Sequence, residues 1–70
     1  MSYAKLRGRI REKFGTQEAF ADAMNLSKSA LSMRLNDKIK WNLEEVRTAC
    51  ELLSIDDSEV CAYFFTKKVR

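Results

Sequence analysis

The chain is predicted to fold as an all-α domain of five short helices, and three observations predict it. In 70 residues there is no proline and there are two glycines, Gly8 and Gly15, so little interrupts helix propagation. Ala, Leu, Lys, Arg, Glu and Met dominate the remainder, and these residues lose least on entering a helix. Apolar side chains recur every three or four residues, the period of a helix with one buried stripe. The length fits one domain, taken as 1–70, whose core buries roughly 60% of the unfolded chain's surface. That leaves no room for a deep catalytic cleft.

The first helix is expected over residues 3–14, with Leu6, Ile10 and Phe14 as its buried stripe. Gly15 ends it, because glycine takes the left-handed cap conformation without steric cost. Thr16 caps a second helix over 17–24, with Phe20 and Met24 one turn apart. Asn25 is the turn residue and has to accept a positive φ, which asparagine tolerates. Ser27 caps a third helix over 28–35, with Leu31 and Leu35 facing inward. "NDKIKW" is a short loop. Asn42 then opens a fourth helix, and Glu45 completes a capping box three residues on. Leu43, Val46, Cys50 and Leu53 are its expected apolar face. Asp56 and Glu59 suggest a further box, opening a last helix that reaches about residue 64 with Val60 and Phe64 inward. Residues 65–70 are expected to be a frayed tail.

Charge is distributed unevenly. The net charge is +3. Residues 1–14 carry Lys5, Arg7, Arg9, Arg11 and Lys13 against Glu12, and 27–41 carry Lys28, Arg34, Lys38 and Lys40 against Asp37. Residues 42–61 carry Glu44, Glu45, Glu51, Asp56, Asp57 and Glu59 against Arg47. Opposite signs on different segments predict one face suited to nucleic acid and one suited to basic proteins. For any single charge, ordinary solvated surface is the simpler account.

Several classes are disfavoured. There is no histidine, so Cys50 and Cys61 cannot form a four-ligand zinc site by themselves. They read as reduced thiols in or near the core. No base is evident for nucleophilic catalysis, and an enzyme is not expected. Neither a cofactor nor a small-molecule substrate is implied. No stretch approaches the roughly 20 apolar residues of a membrane span, and "MSYAKLRGRI" lacks a signal peptide's apolar run. The expected location is the cytoplasm of a bacterial host.

The break inside "TQEAFADAMNLSKSALSMRLN" (16–36) carries the functional signal. Two short helices separated by about three residues read as a helix-turn-helix. The second helix must cross the first steeply to enter a major groove, which one continuous helix cannot do. Ala21 suits the crossing point, Leu26 the corner, and Leu31 the inner side of the third helix. Ser29, Ala30 and Ser32 are small enough for close approach to base edges.

On these residues, 16–55 resembles the lambda-repressor-like helix-turn-helix domains of phage CI and Cro proteins. With "LRGRIREKFGTQ", "LNDKIKW" and "YFFTKKVR" included, the chain resembles small lytic-side regulators of temperate phages of Gram-positive bacteria. Modulator-of-repression antirepressors, which act against a CI-type repressor, are among them. The resemblance implies that Gln17 contacts a phosphate, that Lys28, Ser29, Ser32 and Met33 face base edges, and that Ser27, Asn36 and Lys38 hold the DNA backbone. Lysine donating to guanine and methionine touching a thymine methyl fit those roles. The chain departs from the family pattern at Asn25 and Asp37, where glycine is usual, and at Arg34, an apolar position in many relatives. Arg34 leaves the rotation of the third helix open.

Two functions follow. One is a Cro-like homodimer on double-stranded operator DNA, with "VCAYFF" serving either as dimer surface or as core. The other is an antirepressor in a heterocomplex with a CI-type repressor. It would dock through the acidic Glu44, Glu45 and Glu51 or through Lys28 and Met33. Trp41 either stacks on a ligand or plugs the space between the third and fourth helices.

Overall fold

The computed structural model describes residues 3–65. Helices α1 (Ala4–Phe14), α2 (Gln17–Ala23), α3 (Lys28–Leu35), α4 (Leu43–Leu53) and α5 (Val60–Phe64) follow in order, with a 3-10 turn at Asp57–Glu59 before α5. The expected all-α fold of five helices is therefore found. The expected frayed tail falls, apart from Phe65, outside the described residues.

The helix starts follow the predicted chemistry. Thr16 Oγ1 accepts from the Ala19 N–H at 3.1 Å, and Ser27 Oγ from the Ala30 N–H at 3.0 Å. At α4 the box is reciprocal: Asn42 Oδ1 accepts from the Glu45 N–H, and Glu45 Oε1 accepts from the Asn42 N–H. Each bond satisfies an amide that the helix itself leaves without a partner.

The ends of α2, α3 and α4 share one device. Asn25, Asp37 and Ser54 have φ of 64°, 63° and 55°. Beyond each, an amide reaches back five residues: Leu26 to Ala21 O, Lys38 to Met33 O, and Ile55 to Cys50 O, at 2.8–2.9 Å. This is the Schellman closure, with a non-glycine residue in the left-handed position each time. Asn25 is the residue type that bears it best. Asn25→Gly is expected to keep thermal stability, whereas Asn25→Val should lose about 1–2 kcal/mol, read by denaturant unfolding.

The core joins all five helices. Leu6, Ile10, Phe20, Ala21, Leu31, Leu35, Ala49 and Leu53 are essentially inaccessible, and Met24, Ile55, Tyr63 and Phe64 complete the cluster. Three expectations are corrected. Leu43 is 75% exposed: it is the first residue of α4 and lies beyond the core, whose α4 contribution comes from Ala49 and Leu53. The second capping box does not form. Asp56 Oδ2 accepts from Ser58 Oγ, and the Glu59 N–H goes to the Asp56 carbonyl, giving the 3-10 turn. Cys61 is exposed, while Cys50 is half-buried.

Candidate functional site

The α2–turn–α3 unit is held by α1 and α4. Phe20 and Ala21 bury α2, Leu31 and Leu35 bury α3, and the turn closes on the Leu26–Ala21 bond. Lys28 and Ser29 are exposed, Ser32 is half-buried, and Met33 is 43% exposed. The loop after α3 adds Lys38, Ile39 and Lys40, all exposed. Amides of Lys38 and Ile39 both donate to the Met33 carbonyl, so the loop folds back beside Met33. The backbone thus sets the exposed Lys38 and Ile39 beside the exposed Met33 of α3. Gln17 is half-buried at the first turn of α2.

Other predicted site residues already have internal duties. Ser27 Oγ caps α3. Asn36 Nδ2 donates to the Ser32 carbonyl at 2.9 Å and to Ser32 Oγ at 3.3 Å, while its Oδ1 accepts from Arg7 at 3.0 Å. Glu45 is bound by Arg34. The guanidinium donates from Nε and Nη2 to the two carboxylate oxygens at 3.0 and 2.8 Å, and from Nη1 to the Ala30 carbonyl. The open question of α3's rotation is answered by this fork: Arg34 turns towards α4. Hydrogen bonds from Arg34, above all, hold the Glu45 carboxyl below its usual range, and partial burial opposes them. Glu44 and Glu51 are exposed.

The basic N-terminal helix also works internally. Arg7 donates to the Leu35 carbonyl at 2.8 Å, and Arg9 to the Leu53 and Ser54 carbonyls at 2.9 and 3.3 Å. Each guanidinium sits at the negative end of a helix, α3 or α4, and satisfies carbonyls left open there. Lys5 Nζ lies 4.8 Å from the centroid of the Tyr63 ring. Sequence charge had marked α1 as a possible DNA-facing element, whereas three of its five cations tie the domain together. The residue types gave no sign of this, because a capping arginine and a solvated one look alike in sequence.

Trp41, expected to stack on a ligand or to plug the space between the third and fourth helices, makes its ring contacts with Tyr3, which precedes α1, and with Phe64 of α5. Its ring meets Phe64 edge-on at 5.1 Å and Tyr3 at 6.4 Å. Its Nε1 is buried without a hydrogen-bond partner among the described residues.

The comparisons with known proteins extend over nearly the whole chain. A family model described as "Protein of unknown function (DUF739)" matches residues 1–67. The chain belongs to the DUF739 family. Among solved structures, this DUF739 protein is similar to the modulator of repression (MOR) of the temperate bacteriophage TP901-1 from Lactococcus lactis, in its solution structure. Identity is 42%, the TM-score is 0.84, and the match covers 99% of this chain and 93% of that one. No curated protein matches. The resemblance to phage modulators of repression is thereby found across the DUF739 chain, not only in its central helices. Among the described residues, no helix is long and apolar enough to cross a membrane.

Proposed function

We propose that this protein is an antirepressor-type regulator of a phage lysis–lysogeny switch, acting in a heterocomplex with a CI-type repressor in the bacterial cytoplasm. The observation that carries the proposal is the 42% identity to a phage modulator of repression over 99% of the chain. The chemistry of α3 supports it. A base-reading helix draws on charged and amide side chains, yet on α3 Arg34 is spent on Glu45, and Lys28 is the one remaining cation. So sparsely charged a helix is poorly equipped to read an operator alone.

A second reading is a Cro-like homodimer on operator DNA. The break between α2 and α3 favours it, since Lys28, Ser29 and Met33 are exposed on α3 and Lys38 and Lys40 follow. Size-exclusion chromatography with light scattering, on the protein alone and with the repressor encoded in the same phage genome, separates the two. The heterocomplex reading expects a mass equal to a defined sum of both chains. A homodimer that binds operator DNA and leaves the repressor unbound would replace it. If DNA is the ligand, Lys28→Ala should cost roughly 1–3 kcal/mol on the specific site and relax discrimination at one base pair. Lys38→Ala should weaken all sequences about equally. Affinity should fall with log salt at about −0.9 per phosphate contact. No function as an enzyme is proposed.

A further inference from the structure

We propose that the groove between α4 and residues 55–60 is the docking site for a basic amphipathic helix of the partner protein. The proposal rests on the heterocomplex reading above and assigns it a surface. The groove has a volume of about 390 Å³. Its apolar lining is the buried Ile55, the half-buried Val46, Cys50 and Val60, and the exposed Leu43. At 75% exposure, Leu43 is the most exposed large apolar side chain among the described residues. Nothing in the helix start requires leucine there, because the capping box uses only Asn42 and Glu45.

Charge selects the occupant. Glu51 and Asp57 line the groove and Glu44 adjoins Leu43, while Arg47 is the one cation on the lining. Among the described residues these three carboxylates have no ion-pair partner. Glu45, the acid nearest to them in sequence, faces α3 and is neutralised by Arg34. The effect of Asp57 extends into the groove: after burial, its charge is the second cause pushing the Cys50 thiol up. An acid-rimmed aliphatic groove repels phosphate and fits a helix with aliphatic residues at i, i+3, i+4 and i+7 flanked by Lys and Arg. The eleven residues of α4 give a wall roughly 16 Å long, about three turns of a partner helix. A second copy of this chain would set the basic Lys28–Lys40 surface of one molecule on the groove of the next. That contact is heterologous and builds a ring or an open filament.

The test uses the full chain and two probes. The first is a synthetic fifteen-residue helix, about four turns, with a Leu/Ile stripe and flanking Lys and Arg; a control has Glu in place of the basic residues. The second is the CI-type repressor of the same phage. In amide chemical-shift titrations the basic peptide should perturb Val46, Cys50, Ile55 and Val60, and should bind at least about tenfold tighter than the control. Leu43→Lys should weaken both peptide and repressor binding by about tenfold or more and leave the thermal melt in place, since that side chain is mostly in solvent. Glu51→Lys should act the same way. If the repressor binds wild type and both variants equally, the groove assignment falls and the heterocomplex reading stands. A repressor that does not bind wild type sinks the heterocomplex reading, and the peptide titration then decides the groove alone. Rings or open-ended oligomers of the protein that disappear in Leu43→Lys would make a second copy the occupant and overturn the proposal.

Discussion

Phe20→Ala is expected to lower the unfolding free energy by about 3–5 kcal/mol. Phe20 has no solvent exposure and is the largest of the fully buried side chains. Its ring meets Phe14 edge-on, with centroids 5.3 Å apart and planes at 62°. Removing a fully buried phenylalanine costs about 3–5 kcal/mol, part of it from the cavity left behind. A 70-residue domain at roughly 0.05–0.15 kcal/mol per residue has about 4–10 kcal/mol in all. One substitution therefore consumes a third or more of the stability. The α2–turn–α3 surface should fail with it, because Phe20 anchors α2 and α2 sets the angle of α3. Urea unfolding followed by circular dichroism gives the measurement. Phe20→Leu, which keeps most of the volume, should cost about half as much. An unchanged midpoint for Phe20→Ala would mean that α2 does not pack on α1 as described.

Most of the fold was legible because helix starts and stops are local chemistry. Thr16, Ser27 and Asn42 could be recognised as caps from one residue and its neighbours, and all three cap. Asn25 and Asp37 stood where a glycine is usual, and both adopt positive φ. Ser54 does the same without any such signal, since serine is common in many loop geometries. Leu43 misled for a different reason. Periodicity assigns a face but not how far the core extends along it, and α4 starts before the core does. At the last helix, Asp56 and Glu59 had the spacing of a capping box, but Ser58 competes for the Asp56 carboxylate at 3.0 Å.

The site was legible in outline and not in its allocation of side chains. Lys28, Ser29, Met33 and Lys38 are each exposed, and a backbone bond brings Lys38 beside Met33. Asn36, Ser27 and Glu45 had equally plausible external roles, and each is bonded within the domain. Ser27 caps α3 locally, but the contacts that engage Asn36 and Glu45 reach across 29 residues from Arg7 and 11 from Arg34. No local pattern reveals partners at such separations. The groove is a tertiary feature of the same kind: its lining joins residues of α4 to Ile55 and Val60 across the Ser54 turn.

Arg34→Ala, which breaks the Arg34–Glu45 pair, is expected to cost about 3 kcal/mol. The two side chains are only 14% and 16% exposed, and the fork holds both carboxylate oxygens. Arg34→Ala leaves a half-buried carboxylate without its cation, and the penalty for that orphaned charge exceeds the net value of the pair. Glu45→Ala should cost about 1 kcal/mol more than Arg34→Ala, because Glu45 also closes the box at Asn42. The double variant should be clearly less damaging than the sum of the singles, since removing both partners orphans neither. Acidity provides an independent check. Arg34, against the opposing effect of burial, holds the folded Glu45 carboxyl below its ordinary value of 4.5. The unfolded chain therefore takes up this proton first as pH falls. The stabilisation from this group is complete above about pH 4.5 and is lost as pH drops through the lower folded-state value. Arg34→Met removes the cation and should flatten the stability profile in that acid window. A variant whose profile below pH 4.5 parallels wild type would show that another carboxylate governs acid unfolding, and that Arg34 holds α3 to α4 by packing alone.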